Sequence, residues 1–145
     1  MENDVTMRLH CAGAQPSYAN ECAAGLDLRV RLGKTLKLFP GDRAVLETGV
    51  SVEIPCGYFG LVAVRSGLGF RGLVLANGVG VIDEDYRGEI KVAVHHHGEK
   101  PIVLEDGERV AQLILIPYVQ AKLVFTEQLS ETERGACGMG SSGRF

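Results

Sequence analysis

Apolar and polar positions alternate along this chain over short stretches, and turn residues separate the stretches. In Arg43 to Thr48, Ala44 and Leu46 fall on one side and Arg43 and Glu47 on the other. That is the period of two expected of a half-buried strand. Glu89 to His95 sets Ile90, Val92 and Val94 against Glu89, Lys91 and His95 in the same way. Tyr58 to Val64 is dense in β-formers. Val110 to Ile116 is almost continuously apolar and reads as a strand covered on both faces. Lys122 to Thr126 reads as a further strand. Gly33, Gly41, Gly57, Gly88, Gly98 and Gly107 fall between such runs and read as turn glycines. No long stretch holds a helical period, and one short helix is expected around Ser66 to Arg71. Many short strands at this spacing predict an all-β fold, a sandwich or barrel.

Composition narrows the picture. A chain of 145 residues, 46% hydrophobic and 23% charged, suits one globular domain with a real core. After Leu129 the sequence turns polar and then glycine-rich, which separates a β domain over 1–129 from an arm over 130–145. The net charge is −3 and the basic residues are scattered. A nucleic-acid binder would carry a basic face, so no nucleic-acid partner is expected. The longest apolar run, within Val110 to Val119, is interrupted by Gln112 and Pro117, and no membrane span is expected. The N-terminus lacks the pattern of a secretory signal. Cys11, Cys22, Cys56 and Cys137 form no CxxC pair and read as free thiols. A cytoplasmic or otherwise intracellular protein is the expectation.

Two patterns mislead. GxGxxG occurs at Gly67 to Gly72 and at Gly138 to Gly143. A dinucleotide fingerprint needs that turn between a strand and a helix. Here LVLANGVGVI follows the first and only Arg144 and Phe145 follow the second, so neither qualifies. The triplet His95-His96-His97 puts His95 and His97 on one face of a strand, which would suit zinc. The plainer reading is a strand end running into a turn, because a third ligand is lacking.

Five segments carry candidate chemistry: AAGLDL at 23–28, VRSGLG at 64–69, NGVGVIDEDYRGE at 77–89, GERVAQLIL at 107–115 and RGACGMGSSG at 134–143. Singly, each is ambiguous. Ser66 and Gly67 behind Arg65 form either a phosphate cradle or a plain turn. Asp83 ends an apolar strand, as a rim carboxylate or as a turn cap. Gln112 puts an amide in an apolar strand, for structure or for a ligand. The tail offers hydroxyls beside Arg134, or is simply disordered.

Taken together, the order, wording and spacing of these segments resemble the five motifs of the trimeric dUTPase family. The resemblance runs from about Pro16 to the last residues, and GVIDEDYRGE is its most specific part. It implies a jelly-roll-like β-sandwich of the trimeric dUTPase type. It implies hydrolysis of dUTP to dUMP and diphosphate, with Mg2+ on the triphosphate and dUTP as the small-molecule substrate. It further implies a homotrimer whose active sites are shared between subunits. Asp83 aligns with the aspartate that deprotonates the attacking water, a role in which positioning and charge do most of the work. Gln112 aligns with the fourth-motif glutamine near the α-phosphate and that water. Arg65, Ser66 and Gly67 align with phosphate contacts, Arg109 braces the same region, and Arg134, Ser141 and Ser142 belong to the phosphate-binding tail. Asn77 and Gly80, Val81 and Ile82 align with the hairpin that reads uracil. Tyr86 aligns with the tyrosine beneath the deoxyribose, where it leaves no room for a 2′-hydroxyl. Lys91 aligns with a residue near the nucleotide. Asp27 aligns with an outer-sphere partner of the metal, acting through water.

The fifth motif departs from the family pattern RGxGGFGSTG. Cys137 stands where glycine is usual, Met139 where phenylalanine is usual, and Ser142 keeps the hydroxyl of threonine. Val64 replaces a proline common before Arg65. A methionine lid over the uracil loses stacking of about 1–3 kcal/mol, which predicts a looser lid and weaker catalysis. Two other readings belong beside this one. A related dCTP deaminase would lack the IDEDY wording. A nucleotide-sensing regulatory protein would keep the pocket without the chemistry.

Overall fold

The computed structural model describes residues 5–139. In chain order its elements are β1 (Arg8–Cys11), β2 (Ser17–Tyr18), β3 (Leu26–Arg29), β4 (Leu36–Leu38), β5 (Arg43–Glu53) and β6 (Tyr58–Val64). A single short helix, α1 (Ser66–Phe70), follows, then β7 (Leu73–Leu75), β8 (Gly80–Ile82), β9 (Glu89–His96), β10 (Ile102–Leu104) and β11 (Arg109–Pro117). Three antiparallel sheets result, in strand orders β1-β5-β9-β7, β10-β4 and β2-β3-β11-β6-β8. Consecutive strands often lie in different sheets, which gives the jelly-roll-like sandwich expected from the sequence. Leu28 and Leu113 of the five-stranded sheet, Leu46, Val92 and Leu73 of the four-stranded sheet and Ile102 of the small sheet join one core cluster.

The period-two stretches fold as their patterns predict. In β5 and β9, Leu46 stands opposite Val92 and Ala44 opposite Val94; Leu46, Ile90, Val92 and Val94 are buried. β5 runs past Thr48 to Glu53, beyond the expected strand, because a bulge carries it on. The register slips between Glu47 and Ser51, and Gly49 takes φ 68° there. Thr48 turns inward, donates to the Ile90 carbonyl at 2.7 Å and accepts from the Val50 N–H at 3.1 Å. A threonine and a glycine interrupt the apolar period, so the strand looks finished in the sequence.

Two expectations are corrected. Val110, Ala111 and Leu113 of β11 are buried, but its other face is not covered. Register places Gln112, Ile114 and Ile116 on that face with Ala63, Leu61 and Phe59 of β6, and all six are only half-buried. Lys122 to Thr126 forms no strand. Its apolar residues find no partner here: Val124 is 80% and Phe125 95% exposed. A strand needs a ladder to join, and the described residues supply none at that point.

Candidate active site

The predicted residues fall into two groups on the five-stranded sheet. The first gathers at one end of β3, β11 and β6. Gln112 lies opposite Asp27 of β3 and opposite Ala63 of β6, so the three share a face. Asp27 is 3% exposed. Its Oδ1 accepts Arg65 Nε at 3.0 Å and its Oδ2 accepts an Arg109 guanidinium nitrogen at 3.1 Å. A slip in the β11–β3 register between Arg109 and Ala111 turns Arg109 to this position. Side chains of Arg65 and Arg109 stay 34% and 39% exposed. Each therefore keeps N–H groups for an anion while one buried carboxylate holds both in place. Ser66 and Gly67 follow Arg65 at the exposed start of α1, whose first turn has no side-chain cap. Gly25, inside the AAGLDL segment, supplies a contact that the sequence did not single out. A Cβ at that position would fall 2.1 Å from Gln112 Oε1, so the amide lies across the bare glycine.

The second group sits on the segment 77–89, which is no hairpin of its own, because β8 pairs with β6 rather than with β7 or β9. Gly78, at φ 77°, turns the chain after Asn77, and the Val79 N–H donates to the Asn77 carbonyl at 2.9 Å. β8 then pairs with β6 alone, Gly80 opposite Val62 and Ile82 opposite Gly60. As the edge strand it presents a row of backbone donors and acceptors on its free side. Asp83, exposed, follows at once, and its carbonyl accepts the Tyr86 N–H at 3.1 Å. Glu84 ties this turn down, accepting the Gly57 N–H at 2.7 Å. Beside them Tyr118 packs edge-on to Phe59, ring centres 6.3 Å apart. Desolvation first, then the Glu84 carboxylate, raise the Tyr118 hydroxyl above its ordinary pKa. Val81, Asp83, Glu84, Phe59 and Tyr118 border an open hollow of about 650 Å³.

Within one chain the second group touches the first only through Gly80, which stands opposite Val62, one residue along β6 from Ala63; Asp83, at the other end of β8, does not reach it. Ile82 pairs with Gly60 and the first group begins at Ala63 to Arg65, on the same strand. At about 3.3 Å per residue and with Asp83 lying past Ile82, Asp83 is on the order of 15 Å or more from Arg65. Other predicted residues stand apart from both. Lys91 projects from β9 and pairs with Glu47 at 3.3 Å. Arg134 turns back on its own arm, its Nε donating to the Cys137 carbonyl at 3.0 Å, and Met139 is wholly exposed. Ser141 and Ser142 lie outside the described residues. His95 and His97 do share a face, with ring centres 4.0 Å apart. No group of three or more His, Cys, Asp or Glu converges on an ion site among the described residues. No helix among them is long and apolar enough to cross a membrane.

The dUTPase family model matches residues 12–143. The chain belongs to the dUTPase family. The deoxyuridine 5'-triphosphate nucleotidohydrolase of Alcanivorax borkumensis is 48% identical over 131 residues, 89% of this chain and 87% of that protein. Its counterpart from Desulfitobacterium hafniense is 47% identical over 130 residues, 88% of this chain and 86% of that protein. Among solved structures, a Staphylococcus bacteriophage 80alpha dUTPase with dUpNHpp superposes with a TM-score of 0.85 at 29% identity, covering 96% of this chain and 99% of that one. Both groups of site residues lie inside the dUTPase match.

Proposed function

We propose that this chain hydrolyses dUTP to dUMP and diphosphate, at sites assembled between the subunits of a homotrimer. The observation that carries this reading is β8 with the turn that follows it. An edge strand with a free backbone row ends in an exposed aspartate and is followed by a tyrosine. The names of the family relatives support the same reaction, and the IDEDY wording leaves the deaminase reading without support.

In this reading the free edge of Gly80 to Ile82, with Asn77, pairs with the uracil. Cytosine would leave buried groups unpaired, which is strong discrimination. Tyr86 packs beneath the deoxyribose. Asp83 takes the proton from the attacking water, and Gln112 orients that water at the α-phosphate. Arg65, Arg109, Ser66 and Gly67 hold the phosphates, and Arg134, Ser141 and Ser142 arrive on the arm. Met139 covers the base, and Lys91 lies at the margin of the site.

The residues fit magnesium only as an ion carried by the triphosphate. Both oxygens of Asp27 already accept from arginines, so that carboxylate is left an outer-sphere role through water. Bound there, magnesium would neutralise phosphate charge.

Support for the homotrimer comes from two features. Asp83 and Arg65 are separated within one chain. The half-buried face of Ile114, Ile116 and Phe59 and the exposed Val119, Val124 and Phe125 await cover. The deciding experiment follows diphosphate release from dUTP with magnesium, beside Asp83→Asn. Loss of a general base predicts a fall of about 10²–10⁴-fold. Equal rates for the two proteins would overturn the assignment of Asp83. Tight nucleotide binding with no turnover would favour the sensor reading.

A further inference from the structure

Gly88 has the sequence setting of a turn glycine, but the structure gives it a different duty. The described glycines with left-handed backbone are Gly41, Gly49, Gly57, Gly72, Gly78, Gly107 and Gly135; Gly88 is not among them. Any L residue could adopt its backbone. What excludes a side chain is Tyr86. A Cβ on Gly88 would stand 2.4 Å from Tyr86 Oη, 2.6 Å from Cζ and 2.9 Å from Cε2. The phenol ring therefore folds back and rests on the bare Cα. Its tip is held as well: the hydroxyl donates to the Glu89 carbonyl at 3.0 Å. Glu89 is itself fixed, because its carboxylate accepts the Gly49 N–H at 2.7 Å and it pairs with Ser51 in the sheet. The ring is thus seated from below and pinned at its end, and Tyr86 remains 43% exposed.

We infer that Gly88 is a specificity-determining positioning residue: it is the seat that sets the Tyr86 ring against the sugar. The inference rests on the reading of Tyr86 as the platform beneath the deoxyribose. Non-bonded carbon atoms settle at about 3.5–4.0 Å, so a methyl group at 88 must drive the ring off by roughly 1 Å. The displaced ring gives up the Glu89 carbonyl and no longer closes the space that a 2′-hydroxyl would need. Specificity is a ratio of kcat/KM values and responds to such small displacements.

The test compares kcat/KM for dUTP with that for UTP in four proteins: wild type, Gly88→Ala, Tyr86→Ala and the double variant. Gly88→Ala is expected to lower the dUTP-to-UTP ratio at least tenfold, with an unchanged circular dichroism spectrum. On the Tyr86→Ala background, where the clash partner is gone, the same change is expected to be silent. If Tyr86→Ala leaves the ratio intact, the sugar-platform reading fails and takes the inference with it. If Tyr86→Ala collapses the ratio but Gly88→Ala does not move it, the seat alone is refuted. Should Gly88→Ala unfold the protein or still damage it without Tyr86, the glycine serves the backbone and the inference is wrong.

Discussion

At the scale of single residues, charge placement does more than charge number. Asp27 is the clearest case: one buried carboxylate holds two arginines that both stay partly open to solvent. Asp27→Asn keeps the shape and removes the anchor. It is expected to raise KM for dUTP more than it lowers kcat, and to cost about 1–3 kcal/mol in urea unfolding. An unchanged KM would show that the arginines hold their places without it. Glu47 is the exposed counterpart. Lys91 first, and then Arg31, hold its carboxyl below the ordinary value of 4.5. A carboxyl whose folded pKa is depressed contributes stability above its unfolded pKa and loses it as pH falls through the folded value. The urea midpoints of wild type and Glu47→Gln should therefore differ at neutral pH and converge once the pH has fallen below the depressed value of the folded state. A gap that persists in acid would count against the ion pairs.

At the scale of elements, β8 decides where the chemistry stands. It has three residues and one neighbour, so its position depends on how closely it approaches β6. Gly60 permits that approach. A Cβ there would meet Leu113 Cδ1 at 2.7 Å, Ile54 Cδ1 at 3.1 Å and Ile82 Cβ at 3.2 Å. Gly60→Ala should destabilise the fold by about 1–3 kcal/mol through overpacking. It should also depress kcat, because Ile82 leads straight into Asp83; a stable variant of full activity would refute this. The arm is the other element with a definite expectation. Met139→Phe should raise kcat/KM through better stacking on the base, and an unchanged or poorer value would count against a lid at that position. How legible these elements were in the sequence depended on length. β6, β9 and β11 each span seven or more residues; β9 displays its period, and β6 and β11 stand out as long β-forming apolar runs. β2, β4, β7, β8 and β10 have two or three residues each. Over so short a span periodicity carries no signal, and only the sheet around them makes them strands.

At the scale of the whole molecule, one chain holds Asp83 and Arg65 far apart along the five-stranded sheet. If subunits complete each other, mixing an Asp83→Asn protein with an Arg65→Ala protein after subunit exchange should restore part of the diphosphate release that each lacks alone. Mixed sites then arise in which both halves are wild type. No recovery, or a stable active monomer in sedimentation, would rule the shared site out. The division between sequence and structure follows from range. Local patterns sufficed for the β class and for the short helix, because alternation lies within a few neighbouring residues; Asp83, Tyr86, Arg65 and Gln112 were singled out only by the order and wording of five motifs spread along the chain. What needed the fold was the distance between Asp83 and Arg65, the double grip on Asp27, and the glycines beneath Gln112 and Tyr86. Each of these depends on residues brought together by register and close approach, and a missing Cβ has meaning only once the group that occupies its space is known.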